Sequence, residues 1–525
     1  MSEIEELLKN GETGNVEFKE YLSKKIHLEK SRRQGLASQM KYRVLNGNGR
    51  AIYLLGVTDD GEIKGLTKAQ LEETFEVLDS IAKENGFAAT EKKTISRNGS
   101  LIGKVLIERL KLEKEHLLVG TAGHVDHGKS TLVGTLVSGE LDDGIGKTRQ
   151  YLDTQKHEIE RGLSADLSYA VYGFDRSGGV IRLKNPLSKK EKAGVVEKAA
   201  KIVSFVDTVG HEPWLRTTIR GIVGQKLDYG ILTIAGDEKI THVTKEHLGI
   251  LLAMDLPVII AITKCDKARD LNKLEMDISD LMSIIGKVAK FIRFERDLEF
   301  LPAFWETKVV VPVIRTSAKT GEGLELLNKL LHILPKRTSE FDRNREFLMY
   351  IDKIYRVPGT GTVVSGSVKE GVVKRGEELF IGPSKDGNFH KIKASSIEIH
   401  HFSVDTAEVG EIIGIALKGL EIEVERGMVI TARRDLKSGR KFEADVVVLN
   451  HPTKISKGYE PVVHLETISE TVVVEPLDVD FLAAGDRGRV EMRFKYKPYY
   501  IREGQKFVFR EGRSKGIGRV TRILN

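Results

Sequence analysis

The sequence predicts a multidomain protein, with a small α+β domain first, then an α/β domain, then two β-barrels. Three observations lead to this prediction. The chain has 525 residues, more than a single hydrophobic core usually organises. Between residues 115 and 335, apolar strand-like runs alternate with helical stretches, which is typical of βαβ units and a mostly parallel sheet. Beyond residue 340, short alternating runs separated by glycine-rich turns indicate β-barrels.

Turn and helix signals indicate where the domains divide. In the first domain, Asp59, Asp60 and Gly61 form the turn of a predicted hairpin, and the amphipathic helix that follows ends at Gly86. The candidate strands of the α/β domain are LLVG, IVSFVD, YGILTIAG, PVIIAIT and VVVPVI. A polar stretch, Arg433–Lys441, separates the two barrels. We therefore expect four domains, at residues 1–114, 115–340, 341–436 and 437–525.

The composition is that of an ordinary soluble protein, with 40% hydrophobic and 30% charged residues. The acidic, polar N-terminus is not a secretory signal. The longest apolar stretch is interrupted by Asp255 and Pro257, so we expect no membrane span. A single cysteine excludes a disulfide and a cysteine-based zinc site within the chain, and it favours a reducing cytoplasm. The net charge of +7 is compatible with a nucleic-acid partner.

A phosphate-binding loop is predicted in the stretch TAGHVDHGKSTL, residues 121–132. Gly123, Gly128, Lys129 and Ser130 fit the pattern G-x-x-x-x-G-K-[ST] between a strand and a helix. Glycines let backbone N–H groups turn toward phosphate oxygens, and the helix presents its positive end to the anion. Lys129 supplies charge to the β and γ phosphates, and the Ser130 hydroxyl can ligate Mg²⁺.

A second element, VSFVDTVGHEPW, suits the terminal phosphate. Asp207 ends an apolar strand, where a carboxylate can hold the Mg²⁺ shell. Gly210 lets its backbone N–H approach a γ-phosphate, and His211 could orient or polarise an attacking water. In isolation His211 would be an ordinary loop histidine, but beside a phosphate loop a catalytic role is favoured.

Two further elements select the base. In IAITKCD, Asp266 follows a buried strand and can accept hydrogen bonds from N1–H and the 2-amino group of guanine, a pair of donors that adenine lacks. Lys264 can pack its stem along the base. In RTSAKTGEG, Ser317, Ala318 and Lys319 could close the pocket. The four elements together predict GTP and GDP as ligands.

These motifs resemble those of the translational GTPases. GHVDHGKST is similar to the phosphate loop of elongation factor Tu, DTVGH to the start of switch II, TKCD to the guanine motif, and SAK to the last base-pocket motif. The resemblance implies catalytic roles for His211 and Lys129, and an apolar gate formed by Val125 and Leu163. It also implies that the nucleotide contacts Val125, Asp126, His127, Thr131 and Thr263, in addition to the residues of the motifs themselves.

Switch I corresponds to EIERGLSADLSYAVYGFD. Relatives usually have threonine where this chain has Ser164, which keeps the hydroxyl oxygen that a Mg²⁺ ligand needs. The resemblance thus implies a Mg²⁺ site made by Ser130, Ser164 and Asp207. If the switch works as in relatives, the γ-phosphate and Mg²⁺ hold it ordered and hydrolysis releases it.

The resemblance extends beyond the GTPase domain and is most detailed to the GTP-binding protein 1 and 2 family, as an archaeal-like member. YRVPGTGTVVSGSV looks like the opening of the second domain of elongation factor Tu, and REGRSKGIGRVTRIL like the end of the third. The added segment NPLSKKEKAGVVEKAAK and the region before residue 114 resemble that family specifically. The family implies contact with aminoacyl-tRNA and the ribosome, in elongation, ribosome rescue or mRNA turnover.

Two functions from different classes remain open. The first is a ribosome-dependent GTPase that handles aminoacyl-tRNA. The alternative is a GTP-regulated adaptor for RNA decay, which recruits its partner through residues 1–114. A selenocysteine-type factor is less favoured because no separate C-terminal RNA-reading domain is evident, and a zinc-containing initiation factor relative is disfavoured by the single cysteine. We expect a monomer.

Basic segments could contact RNA. Twelve Lys and Arg residues lie between Arg487 and Arg522, interleaved with aromatic residues. Because VEMRFKYK alternates, we expect Val490, Met492, Phe494 and Tyr496 to face the core and the charges to face solvent, where they could contact phosphates. The cluster Lys24–Arg50 could bind rRNA or form a solvated helix, and SKKEKAGVVEK is predicted as a solvated helix.

Overall fold

The computed structural model describes residues 3–524, apart from 13–14, 47–49, 85–86, 98, 110–113, 153–166, 211–214, 301–303, 305–306 and 513. Two compact units divide the chain, Met1–Glu113 and Lys114–Asn525. None of the described helices is long and apolar enough to cross a membrane.

The first unit is a four-stranded sheet with helices on both faces. Its elements are α1 (Glu3–Asn10), β1 (Val16–Lys19), α2 (Lys24–His27), α3 (Lys30–Asn46), β2 (Arg50–Leu55), α4 (Lys68–Glu84), β3 (Phe87–Arg97) and β4 (Ser100–Arg109). The sheet order is β1-β2-β4-β3. Alternating side chains of β2 enter separate cores, with Tyr53 and Leu55 packed near α4 and Leu54 packed near α1.

The predicted hairpin in this unit is smaller than expected. Its turn is present, with Gly61 N–H donating to Thr58 O over 2.9 Å. Its two sides share the bridge between Val57 and Ile63 and a few backbone hydrogen bonds, such as Thr58 N–H to Glu62 O over 3.0 Å, but they do not form a pair of strands. The reason is that β2 pairs with β1 and β4 instead. The predicted helix is α4, and its proposed end at Gly86 lies outside the described residues.

The α/β domain contains an eight-stranded, mostly parallel sheet, as predicted. The sheet order is β11-β12-β10-β9-β5-β8-β6-β7, and only β6 and β7 run antiparallel to their neighbours. The strands are β5 (Glu115–Ala122), β6 (Ser168–Phe174), β7 (Val180–Ile181), β8 (Lys201–Asp207), β9 (Tyr229–Ala235), β10 (Val258–Thr263), β11 (Val288–Ile292) and β12 (Val310–Arg315). All five candidate strands of the sequence are among them.

Helices cover both faces of this sheet. They are α5 (Lys129–Ser138), α6 (Lys189–Lys198), α7 (Leu215–Gly224), α8 (His242–Ala253), α9 (Leu271–Ile284) and α10 (Leu324–Ile333), with 3₁₀ turns at Thr148–Tyr151, Cys265–Lys267 and Glu295–Phe300. A short helix, α11 (Glu340–Arg343), follows before the first barrel. Because β5, β8, β10 and β12 are parallel, the loops that follow them meet at one edge of the sheet.

The inserted segment forms helix α6, as predicted, but the helix is solvated on only part of its surface. Val195 and Val196 are buried and belong to the main hydrophobic core. The helix begins after Ser188, whose Oγ caps it by accepting a hydrogen bond from Glu191 N–H. The apolar face is short, and the mixed charge of the other positions made it hard to recognise from the sequence.

Two β-barrels follow, as predicted. In the first, the order β13-β22-β17-β18-β21-β15 is closed by pairing between β13 and β15. Its strands are β13 (Leu348–Tyr350), β14 (Lys353–Val357), β15 (Gly361–Glu370), β16 (Val372–Lys374), β17 (Glu378–Gly382), β18 (His390–Ile399), β19 (Phe402–Val404), β20 (Thr406–Glu408), β21 (Ile412–Lys418) and β22 (Val429–Thr431).

The last barrel is closed in the order β23-β28-β26-β25-β29-β30. Its strands are β23 (Lys441–Asn450), β24 (Lys454–Ser456), β25 (Val462–Leu465), β26 (Ile468–Pro476), β27 (Phe481–Ala483), β28 (Arg487–Phe494), β29 (Lys506–Glu511) and β30 (Ser514–Leu524). Val490, Met492 and Phe494 face the core as predicted, but Tyr496 is 66% exposed. The strand ends at Phe494, so the alternation does not reach Tyr496.

Candidate nucleotide-binding site

The phosphate loop connects β5 to α5 and borders a pocket at the carboxyl edge of the sheet. Helix α5 begins at Lys129, directly after Gly128, whose φ of 73° is a left-handed conformation that favours glycine. The helix N-terminus therefore faces the pocket, as an anion site requires. The loop and first turn contribute Val125, Asp126, Gly128, Lys129, Ser130 and Thr131 to the pocket wall.

Lys129 is buried with its charge only partly compensated. Its Nζ donates a hydrogen bond to His124 O over 2.7 Å. Burial lowers the pKa of Lys129 to about 8, although the carboxylates of Asp207 and Asp126 act in the opposite direction. A bound phosphate would supply the negatively charged partner that the Lys129 ammonium group lacks.

Ser130 and Asp207 place two oxygen ligands beside each other. Ser130 Oγ donates to Asp207 Oδ2 over 2.6 Å, and Thr121 Oγ1 donates to Asp207 Oδ1 over 2.6 Å. Asp207 is buried at the end of β8. A hydroxyl and a carboxylate are the hard oxygen donors that suit Mg²⁺, so these two residues fit the predicted metal. The third expected ligand, Ser164, lies outside the described residues.

Gly210 packs directly on the phosphate loop. A Cβ at this position would lie 2.2 Å from Lys129 Nζ and 2.6 Å from Val125 N. The second distance involves backbone, so a side-chain movement could not relieve it. The structure thus brings the start of switch II against the loop. His211 and Leu163 lie outside the described residues, whereas Val125, the other member of the expected gate, lines the pocket.

The residues predicted to form the base pocket meet at the other side of the pocket. Ser317 Oγ donates to Asp266 Oδ1 over 2.6 Å, which orients the carboxylate expected to accept from guanine. Thr263 Oγ1 donates to His127 O over 2.8 Å and joins the base motif to the phosphate loop. Thr263, Lys264, Asp266, Ala318 and Lys319 line the pocket.

Three of the predicted nucleotide residues, Gly123, His127 and Ser317, do not line the pocket. Ser317 acts through Asp266, and Gly123 N–H donates to His247 Nδ1 over 2.9 Å. Burial lowers the pKa of His247 to about 3, so this imidazole is a neutral acceptor. His127 is fully buried behind the loop.

The sequence analysis missed one wall of the pocket, the segment after α5. Asp142, Gly144, Ile145, Gly146 and Arg149 line it. Asp142 N–H donates to Ala318 O over 2.9 Å, and Asp142 Oδ2 accepts from Gly144 N–H over 2.8 Å and from Gly146 N–H over 3.1 Å. The run DDGIGK carried a turn signal, but only a contact with the base motif makes it part of the site.

Family models match almost all of the second unit. The elongation factor Tu GTP binding domain matches residues 114–336, elongation factor Tu domain 2 matches 361–431, and the elongation factor Tu C-terminal domain matches 435–524. The matched segments contain the sheet of the α/β domain, the first barrel except β13 and β14, and the whole last barrel.

Solved structures share this fold. A bacterial selenocysteine-specific elongation factor, EF-Sec, aligns with a TM-score of 0.57 and 23% identity over 77% of this chain, and this chain covers 58% of that structure's length. Translation elongation factor SelB from Methanococcus maripaludis, solved with the GTP analogue GppNHp, aligns with a TM-score of 0.56 and 19% identity, over 78% of this chain and 80% of the other.

Similar sequences extend across nearly the whole chain. GTP-binding protein 1 of Xenopus laevis is 34% identical over 93% of this chain and 76% of its own length. GTP-binding protein 2 of Homo sapiens is 32% identical over 98% of this chain and 87% of its own length. The chain therefore belongs to the GTP-binding protein 1 and 2 family and is a translation-factor-like GTPase with an elongation factor Tu-type GTP-binding domain.

Proposed function

We propose that this GTPase works in a ribosome-linked cycle and handles aminoacyl-tRNA, in elongation or in a ribosome-rescue role. The observation that carries this proposal is a junction between the GTPase domain and the first barrel. Residues that follow each of the two predicted switch segments contact the barrel-entry residue Asp352, and those after switch I also contact Lys353. A conformational change in either switch would therefore alter contacts at the entry of the first barrel.

The contacts at this junction are specific. From the strand after switch I, Tyr169 OH donates to Asp352 Oδ2 over 2.8 Å, and Lys353 Nζ donates to Leu167 O over 3.0 Å. From the helix after the start of switch II, Arg220 Nε lies 3.5 Å from Asp352 Oδ1. Asp352 is 1% exposed, so the loss of these contacts would leave a buried carboxylate without partners and would destabilise the fold.

The site supports hydrolysis of the γ-phosphate by water. In the proposed step, His211 orients the water, the water oxygen attacks the γ-phosphorus, and the bond from that phosphorus to the β–γ bridging oxygen breaks. Lys129 stabilises the charge that develops on the phosphates. Ser130 and Asp207, with Ser164, would hold Mg²⁺, which when bound neutralises charge on the β and γ phosphates.

RNA contact is supported by the surface of the last barrel. Phe494, Phe507 and Phe509 are buried, so they are core residues rather than stacking platforms. Tyr496 is the exposed aromatic of this basic segment, and Lys495 is exposed beside it. We therefore assign phosphate contacts to the basic residues and a stacking contact only to Tyr496. The solved structures that share this fold include translation elongation factors, and a role in translation is compatible with a tRNA partner.

The test is GTP turnover by the full chain with and without ribosomes and aminoacyl-tRNA from a matched source. We expect slow turnover alone and strong stimulation by ribosomes. Fast turnover that ribosomes do not change would refute the ribosome-linked cycle. As a control, GDP should be added back to nucleotide-free protein and its binding measured. This shows that the protein is active, so that inactive protein is not mistaken for a lack of stimulation by ribosomes.

A second candidate is an adaptor for RNA decay that works through residues 1–114, of which residues 1–113 form the first compact unit. This unit has two cores of its own, as a binding module needs. Its basic cluster is a weaker RNA candidate than the sequence indicated, because Lys24, Arg33 and Arg43 pair with glutamates. Removing residues 1–113 should leave GTP binding intact and abolish partner capture if this candidate is right. For either function we place the protein in the cytoplasm, which the single, buried cysteine favours.

A further inference from the structure

Behind the phosphate loop, the buried side chain of His127 faces an oxygen atom at each ring nitrogen. Its Nδ1 lies 3.3 Å from Thr233 O, and its Nε2 lies 3.2 Å from Glu238 Oε2. A neutral imidazole carries one N–H, so one of its nitrogens must present a lone pair to an oxygen. Both contacts are satisfied if a second proton, on the ring or on Glu238, or a metal ion lies between the lone pair and its oxygen.

His124 supplies a second nitrogen at the same place. The rings of His124 and His127 lie edge to face, with centroids 5.3 Å apart. His124 Nδ1 is buried and has no hydrogen-bond partner among the described residues. One ligand atom each from His124, His127 and Glu238 lie within 4.8 Å of one another.

We propose that His124, His127 and Glu238 form a binding site for a divalent transition-metal ion of the Zn²⁺ class. Two imidazole nitrogens and one carboxylate oxygen suit Zn²⁺, Co²⁺ or Ni²⁺ better than Mg²⁺, which prefers oxygen ligands. Thr233 O would accept from His127 Nδ1–H and leave Nε2 free for the metal, which is the usual outer-shell arrangement for a ligating histidine.

The geometry allows a metal after a small movement. Ligand atoms about 2.0–2.1 Å from a tetrahedral metal lie roughly 3.3–3.5 Å apart. His127 Nε2 and Glu238 Oε2 are already 3.2 Å apart, so the closure that a metal needs concerns the distances to His124, which are at most 4.8 Å. The Glu238 side chain is 42% exposed and can make this movement, while His127 is held in the core. A solvent molecule would complete the coordination.

This site is separate from the nucleotide pocket. None of its three residues lines that pocket, and its donors include nitrogen, whereas Ser130 and Asp207 offer oxygen alone. The two sites share the loop, because His124 O accepts from Lys129 and His127 O accepts from Thr263. The proposed metal would thus fix the loop from the side opposite the phosphates.

The experiment titrates CoCl₂, and separately ZnCl₂, into the full chain saturated with GDP and excess MgCl₂, which keeps the nucleotide site filled. Visible absorption of bound Co²⁺ and titration calorimetry with Zn²⁺ report binding without reference to activity. We expect one Co²⁺ per chain, with the absorption of a four-coordinate site, displaced by Zn²⁺.

Glu238→Gln tests the assignment with little risk to the fold, because this side chain is half exposed. It should weaken Zn²⁺ binding by roughly 10- to 100-fold. Asp237→Asn, an exposed neighbour with the same loss of charge, should bind like the original chain. GDP affinity, measured for each variant, verifies that the loop is intact. If the original chain binds no metal, the proposal is overturned and a shared proton accounts for the His127–Glu238 contact. If Glu238→Gln binds Zn²⁺ as tightly as the original chain, the proposal is also overturned.

Discussion

The Tyr169 hydroxyl donates a hydrogen bond to Asp352 Oδ2 over 2.8 Å, which ties strand β6 of the GTPase domain to the entry of the first barrel. The two residues are 183 positions apart in the chain. Burial raises the pKa of Tyr169 well above its ordinary value, and Asp352 adds to this effect, so the hydroxyl remains a donor at every physiological pH.

Tyr169→Phe should destabilise the second unit by about 1–3 kcal/mol, because it removes a donor from a buried carboxylate and puts no other donor in its place. Chemical denaturation followed by tryptophan fluorescence measures this change. Tyr496→Phe, at an exposed tyrosine, is the matched control and should change stability by less than about 0.5 kcal/mol. Equal stability of Tyr169→Phe and the original chain would show that the hydrogen bond contributes nothing.

Asp266→Asn should weaken GDP binding by about 1.5–3 kcal/mol or more, since hydrogen bonds from the base to a charged acceptor are lost. The same variant should gain affinity for xanthosine diphosphate, because the amide can donate to the extra oxygen of that base. Competition binding with guanosine and xanthosine diphosphates measures this change in base preference. Asp270→Asn is the control, because asparagine also caps a helix N-terminus and should keep α9 intact. Unchanged GDP affinity in Asp266→Asn would remove Asp266 from the base pocket.

Gly210→Ala should reduce GTP turnover by roughly tenfold or more, through displacement of the phosphate loop on which this residue packs. The added Cβ would lie 2.6 Å from Val125 N, a backbone atom. Gly249→Ala, in helix α8 with open space around its Cβ, should instead stabilise the chain by about 0.5–1 kcal/mol. Single-turnover hydrolysis and thermal unfolding distinguish the two results, and normal turnover in Gly210→Ala would contradict the packing.

His211→Ala should keep GTP affinity and lose ribosome-stimulated hydrolysis by about 10²- to 10⁴-fold, the usual contribution of a residue that positions or polarises a water. Equilibrium binding of a non-hydrolysable GTP analogue measures the first property, and turnover with ribosomes measures the second. Full stimulated turnover in the variant would exclude His211 from the mechanism.

Acid should destabilise the junction between the two barrels through Glu370. This carboxylate accepts from Arg345 NH1 and from Arg502 NH1, each over 2.7 Å, and it also pairs with Arg433. Burial acts to raise the pKa of Glu370, but the arginines outweigh it and the net shift is downward. A depressed pKa in the folded state means that the stabilisation is complete above the unfolded value and is lost as pH falls through the folded value.

Stability measured from pH 7 down to pH 3 should therefore fall less steeply in Glu370→Gln than in the original chain. At pH 7 the variant should be less stable by about 3–5 kcal/mol, because three guanidinium groups lose their buried partner. Glu423→Gln, at an exposed glutamate, should follow the original chain at each pH. Parallel curves for Glu370→Gln and the original chain would show that this carboxylate does not titrate with folding.

Much of the candidate site was predictable because its chemistry is carried by short contiguous motifs. Gly128, Lys129 and Ser130 sit between a buried strand and a helix, and local spacing alone places them at a helix N-terminus. Asp207 ends one fully buried strand and Asp266 follows another, so the parallel sheet brings both to the same edge. The position of Ser317 also followed from its motif.

Other features could not be predicted, since they depend on contacts between distant segments. Asp142 becomes part of the pocket through the backbone of Ala318. Val195 and Val196 are too few to mark an apolar face until a core lies beneath them. Tyr496 is exposed because β28 ends two residues before it, and strand ends depend on the pairing partners.

The amino-acid sequence by itself determined the nucleotide chemistry, the order of the domains and most of the strands, because these rest on local spacing and periodicity. Only the tertiary structure decided which residues complete the pocket, how Asp352 receives groups that follow both switches, and that His124, His127 and Glu238 share one place behind the loop. The physical reason is that hydrogen bonds and metal ligation act over about 3 Å. Which distant side chains come that close is set by the packing of the sheet and the barrels.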